Sequence, residues 1–161
     1  MSVAFRRESD EEHLEPKFEI PIPSGPNLVT PRGKQLLAEK AASLRQAIDA
    51  ATTDEERERL KRDLRYWDTR LTTAEIAPPP SDGEVGIGSC VNFAMNKQKR
   101  TITIVGHDEA DPAAGSIAFS APLARALIGG MEGETLDYNG VPDMLEILKI
   151  GTAGDTLAPS L

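Results

Sequence analysis

Very little in this chain of 161 residues could bind a metal tightly or form a cross-link: there is one cysteine and there are two histidines. Cys90 stands alone, which excludes an intrachain disulfide. His13 and His107 are far apart and neither lies beside a cysteine, so a structural zinc site has no ligand set. No apolar run is long enough to cross a membrane. The first fifteen residues, MSVAFRRESDEEHLE, lack the apolar stretch of a secretory leader. Cations are also short: 18 Lys and Arg stand against 26 Asp and Glu, a formal net charge of −8. That balance argues against direct binding to naked DNA or RNA, which needs a basic surplus. What remains is a cytoplasmic protein with a basic protein partner, or one whose carboxylates work near a metal.

The organisation follows from proline, glycine and apolar spacing. Residues 1–29 hold Pro16, Pro21, Pro23 and Pro26 and read as an extended, flexible arm. The alternation of Phe18, Ile20 and Ile22 leaves open that the arm lies along another surface. Residues 30–77 read as a helical hairpin. Thr30 is a good N-cap and Pro31 suits the first helical position. Leu37, Ala41, Leu44 and Ile48 repeat at four, three and four, as do Leu60, Leu64, Trp67, Leu71 and Ala74 with the same alternation. This is the pattern of a helix-on-helix seam. Thr53 and Glu56 read as a capping box that starts the second helix. Two helices of about 20 residues would make an antiparallel hairpin about 30 Å long.

Residues 78–83, three prolines followed by Ser81, Asp82 and Gly83, form a linker. From 84 to 150 the period changes to two. Strands are expected over Val85–Phe93, Arg100–Val105, Ser116–Phe119, Glu134–Tyr138 and Met144–Ile150, with a short helix from Ala121 or Pro122 to before Gly129. The expected fold class is α+β: the hairpin, then a small antiparallel β domain closing around Leu123, Leu127 and Ile128. Residues 151–161 read as a flexible tail.

Several segments resemble one family. IVGHDEAD at residues 104–111 resembles the IVG-x-DEAD loop of GreA/GreB-type transcript cleavage factors. SAPLARALIG at 120–129 resembles their SPLARALIG helix, with Ala121 inserted. NLVTPRG at 27–33 resembles the YVTPEG start of their coiled coil, and DLRYW at 63–67 is similar to the GreB branch. GEVGIGSCV at 83–91 looks like their first β strand.

The resemblance implies an FKBP-like β domain that docks at the rim of the secondary channel of RNA polymerase. It also implies a coiled-coil finger whose acidic tip helps the polymerase hold Mg²⁺ and position water against backtracked RNA. The chain itself would carry no cofactor and no autonomous activity. Direct DNA binding and membrane binding are not expected.

Two departures matter. The tip signature close to GDLSEN is replaced by ATTDEE, and each helix is about ten residues shorter than the family's, a shortfall of about 15 Å.

Carried onto this sequence, the tip candidates are Asp49, Asp54, Glu55 and Glu56; helix capping is their alternative reading. The docking candidates are Asp108, Glu109, Asp111, Ser120, Pro122 and Arg125, with Arg125 alternatively bracing Asp108 or Asp111. Arg57, Lys61, Arg62 and Arg65 form a basic helix face that either approaches RNA or is solvated beside Glu58, Asp63 and Asp68. Trp67 and Cys90 are expected in the core, and His107 is expected to brace its loop. Three functions stay open: a channel factor that modulates or competes without strong cleavage, a true cleavage factor, and an FKBP-like prolyl isomerase. The last would need an aromatic-lined pocket from Phe93, Phe119 and Tyr138.

Overall fold

A computed structural model describes residues 19–152. The expectations for residues 1–18 and 153–161 lie outside the described residues. The elements are β1 (Leu28–Val29), α1 (Pro31–Ala50), α2 (Asp54–Thr73), β2 (Glu75–Ile76), β3 (Ser89–Met95), β4 (Gln98–Val105), a 3-10 turn at Pro112–Ala114, β5 (Ser116–Ala118), α3 (Pro122–Leu127), β6 (Thr135–Tyr138) and β7 (Val141–Thr152).

The hairpin starts and ends where its capping residues dictate. The Thr30 hydroxyl accepts the Gly33 N–H at 2.9 Å, and Thr53 accepts Glu56 N–H at 3.2 Å. Each satisfies an N–H that the first helical turn leaves without a partner. Leu37, Ala41 and Leu44 bury the inner face of α1. The facing positions behave differently from the expected seam. Leu64, Trp67 and Ile48 are only half-buried, and the one buried residue of α2 is Arg70. A pair of helices has no third layer to cover its flanks, so long side chains on the seam keep one side in water.

The base of the hairpin is tied by a two-stranded parallel sheet that pairs Leu28 with Glu75 and Val29 with Ile76. Backbone bonds Glu75 N–H to Asn27 O and Ala77 N–H to Val29 O, both 2.9 Å, close it.

The second sheet has the order β5-β4-β3-β7-β6. It is mixed, not wholly antiparallel as expected, because β5 runs parallel to β4 through Ile104 opposite Ile117. Residues 106–115 carry the chain back along β4 through the 3-10 turn, so β5 sets out in the same direction. Tight two-residue turns set the antiparallel registers. Asn96 and Lys97 join β3 to β4 with φ of 55° and 64°, and Asn139–Gly140 joins β6 to β7 with 57° and 77°. These are the left-handed conformations that two-residue hairpins require.

Several strand boundaries and one expected core residue differ from the reading of the sequence. Val85 lies outside β3, because Gly86–Gly88 interrupt the strand; it is buried instead and exchanges backbone bonds with Gly129 and Gly130. β7 begins at Val141 and continues to Thr152, two residues into the stretch expected as tail, because Gly151 and Thr152 pair with Cys90 and Ser89. Ile128 is exposed, while Ala124 and Leu127 of α3 close the core over Val91, Phe93, Ile102, Ile104, Leu145 and Ile147. Each large apolar side chain sealed there contributes about 1.5–3 kcal/mol. Cys90 is buried and free.

Candidate functional site

Tyr66 and Arg70 are four residues apart, so both point from one face of the last turns of α2. That face meets the loop after β4. Arg70 Nε donates to Asp108 Oδ2 at 2.6 Å, and the Tyr66 hydroxyl donates to Asp108 Oδ1 at 2.5 Å. The ion pair is sealed from water, with 2% of the Arg70 side chain and 8% of the Asp108 side chain exposed. Burial first, then the hydrogen bond to Asp108 and its charge, push the Tyr66 hydroxyl up to about 12. Asn27 Nδ2 donates to Arg70 O at 2.7 Å and to Thr73 Oγ1 at 3.2 Å, so the strand before α1 grips the end of α2.

The next loop residue is drawn to the other helix. Thr30 Oγ1, already capping α1, donates to Glu109 Oε2 at 2.6 Å. Gly33 makes room for that carboxylate: a Cβ there would lie 2.8 Å from Glu109 Oε2. Gly106 allows a second close approach, since its Cβ would stand 2.7 Å from the carbonyl oxygen of Leu28. The loop 104–111 and the segment 27–33 are thus two halves of one joint between hairpin and β domain.

Asp108 and Glu109, expected to dock on a partner, have intramolecular partners in this structure. Their carboxylates face inward and brace the joint. Arg70, not Arg125, is the partner of Asp108.

The other docking candidates lie outside the joint. Asp111 is exposed beside the 3-10 turn, and Pro122 and Arg125 are exposed on α3. Ser120 is exposed, its Oγ 3.2 Å from His107 Nε2, and the His107 ring packs edge-on against Phe119. The three aromatic residues of the β domain serve other contacts than a shared cleft. Phe93 is fully buried in the core, which Phe119 and Tyr138 pack against.

The tip lies at the far end of the hairpin, about 30 Å from the joint at 1.5 Å per residue. The Asp54 side chain is 99% exposed and pairs with Arg57 at 2.9 Å. Arg57 also donates to Ala51 O at 3.0 Å, which folds it back over the turn. Asp49 and Glu55 are exposed and Glu56 is half-buried. Among the described residues, no three His, Cys, Asp or Glu side chains are grouped to hold a metal. Along α2, Lys61 pairs with Glu58 at 3.6 Å and Arg65 with Glu19 at 2.6 Å. Arg62 is half-buried on the same helix. Exposed pairs of this kind contribute at most about 1 kcal/mol each.

Residues 80–152 match the family described as transcription elongation factor, GreA/GreB, C-term. A transcription elongation factor GreA of Pseudomonas aeruginosa is 30% identical over 116 residues, which cover 68% of this chain and 73% of that protein. The chain belongs to the GreA/GreB family. A GreA of Mesoplasma florum is 34% identical over 93 residues, covering 54% of this chain and 60% of the relative. The chain spans about half the length of other curated family relatives that it matches. Among solved structures, the GreA factor homolog 1 (Gfh1) of Thermus thermophilus overlays on 79% of this chain and 99% of its own, at 18% identity and a TM-score of 0.36. A superposition that loose carries no argument.

Within this GreA/GreB chain, sequence reasoning did not single out Asn27, Tyr66 or Arg70 as members of this joint. A signal was present. Tyr66 and Arg70 lie side by side on the surface of α2, next to the apolar seam and one turn before the helix ends. A donor pair there can meet a carboxylate arriving from the following domain.

Proposed function

We propose that this GreA/GreB-family chain docks on bacterial RNA polymerase at the rim of the secondary channel through its β domain, which we take to be FKBP-like, and modulates the enzyme there. In this reading it competes with cleavage factors and does not strongly stimulate transcript cleavage itself. The observation that carries the reading is the length of the finger, 20 residues in each helix. Its base is tied by the β1–β2 pair and by the joint, so the tip gains no reach by swinging. A carboxylate displaced by several ångströms from a metal centre contributes almost nothing to the chemistry there. Asp111, Ser120, Pro122 and Arg125 are the docking residues of this proposal, with Asp108 and Glu109 supporting them from behind. The chain brings no cofactor; Mg²⁺ belongs to the polymerase, and the setting is the cytoplasm.

A stalled, backtracked elongation complex tests this. Added alone, the full chain leaves Mg²⁺-dependent RNA cleavage unchanged; added with a cleavage-competent GreA, it slows that factor. The second reading, a true cleavage factor that also touches the backtracked RNA, is favoured by the solvent-exposed Asp54 carboxylate at the tip. Robust cleavage by the chain alone, lost on changing Asp54→Ala and Glu55→Ala together, would establish that reading and overturn the first.

A further inference from the structure

Two tight turns of the β domain are built alike and differ in the residue that follows asparagine. Asn96–Lys97 and Asn139–Gly140 both hold asparagine in the left-handed region, at φ of 55° and 57°, with a second positive φ of 64° and 77° behind it. Both turns are exposed. The other asparagines of the chain, Asn27 and Asn92, are buried, at 6% and 5% exposure.

An asparagine can react with its own main chain. The nitrogen of the next residue attacks the side-chain amide carbon, and the rate depends on how freely the two atoms can meet. At Gly140 little restrains them. The hairpin pairs Tyr138 with Val141, so the Gly140 N–H takes no part in the ladder. Glycine carries no Cβ to crowd its nitrogen. A Cβ added there would meet nothing within 4 Å, so the turn stands clear of the rest of the domain. In the other turn the lysine side chain crowds the attacking nitrogen.

We propose that Asn139 is a site of spontaneous deamidation, and that the modification releases the edge strand β6. The Gly140 nitrogen bonds to Asn139 Cγ and gives up its proton. The Cγ–Nδ2 bond breaks, and the side-chain nitrogen leaves as ammonia. One water then opens the cyclic imide at either carbonyl. The product is aspartate or isoaspartate, and in isoaspartate the main chain runs through the former side chain. The turn tolerates neither well. Asp143 N–H donates to Asp137 Oδ1 and Thr135 Oγ1 donates to Asp143 Oδ1, both at 3.0 Å, so two carboxylates already work beside it. A new carboxylate adds like charge, and isoaspartate adds a main-chain carbon to a turn whose register allows none. β6 has β7 as its only neighbour in the sheet, and α3 packs against it.

The proposal is independent of docking and is tested on the full chain alone. The protein is aged in buffer at neutral and at mildly alkaline pH, and peptide masses locate the loss of ammonia. Loss at Asn139 is expected on the order of tenfold faster than at Asn96. It quickens with pH, because the attacking nitrogen must lose its proton. Mass separates it from isomerisation at Asp82–Gly83, which releases no ammonia. Lys97→Gly, a residue suited to the φ of 64°, should raise the rate at Asn96 towards that at Asn139. In the aged chain, amide hydrogen exchange should quicken over Thr135–Tyr138 and stay unchanged in α1 and α2. Equal rates at Asn96 and Asn139, an inert Asn139, a Lys97→Gly variant no faster at Asn96, or β6 exchange indifferent to the modification would overturn the proposal.

Discussion

Removing the Asp108 carboxylate should be among the most damaging single changes in the chain, although Asp108 sits in a loop. In Asp108→Ala the Arg70 guanidinium, 2% exposed, keeps its charge and loses its counter-ion. Tyr66 loses the acceptor 2.5 Å from its hydroxyl. Breaking a buried pair from one side costs about 3–5 kcal/mol, because the surviving ion stays desolvated. For a chain of this size that corresponds to a drop in Tm on the order of 10 °C. Replacing both partners by apolar residues of similar volume, Arg70→Met with Asp108→Leu, should recover most of the loss, since no charge is then left buried. Urea unfolding followed by circular dichroism and by Trp67 fluorescence reads both effects. Coincident transitions are required before a free energy is taken, because a broken joint could let the hairpin melt first. The reasoning is refuted if Asp108→Ala costs under about 1 kcal/mol, or if the double-mutant cycle gives a coupling below about 0.5 kcal/mol.

Three further outcomes follow. Trp67 is half-buried, edge-on to Tyr66 at 5.1 Å, with the Lys40 ammonium 5.6 Å from its ring centre. Trp67→Ala should therefore cost about 1–2 kcal/mol, below the core value, and the wild-type emission should be partly open to a soluble quencher; full shielding would contradict the geometry. The Tyr66 hydroxyl, raised to about 12 from an unfolded value near 10, contributes stability that is complete below about pH 10 and is lost as pH rises through 12. Absorbance titration of the phenolate should show a late phase that Tyr66→Phe deletes. Gly106→Ala should destabilise by about 1–3 kcal/mol, since its methyl group would meet the Leu28 carbonyl at 2.7 Å, and proteolysis near residues 74–83 should quicken as the joint loosens.

Much of the helical part was legible because local chemistry decides it. Thr30 and Thr53 are good caps wherever they fall, and α3 begins at a proline that suits a first turn. The β domain was legible in the order of its strands but not in their edges or sense. Gly86–Gly88 stop β3 short of Val85, and the parallel sense of β5 depends on how ten loop residues fold back, which no alternation of apolar residues encodes. The joint was the least legible. Asp108 and Glu109 look in sequence like any acidic turn, and what turns them inward is the arrival of Arg70 and Thr30, 38 and 79 positions away. Pairing across such separations is set by tertiary packing. The resemblance singled out both halves of the joint as motifs, but it could not say that they touch.

The joint bears on the proposed docking through leverage. Three independent ties meet at the base of the finger: the pair of Asp108 with Arg70 and Tyr66, the bond of Glu109 to Thr30, and the β1–β2 ladder. A finger about 30 Å long that tilts by about 10° carries its tip some 5 Å sideways. That displacement exceeds the reach of a carboxylate side chain. A partner that grips only the β domain therefore aims the tip through these three ties. Charge reversal at Asp108 or Glu109 would then weaken function without removing a contact with the partner. The two explanations separate cleanly. A docking residue changes affinity and its salt dependence. A joint residue leaves the encounter intact and changes where the tip comes to rest, a distance that fluorescence transfer from a labelled tip can read.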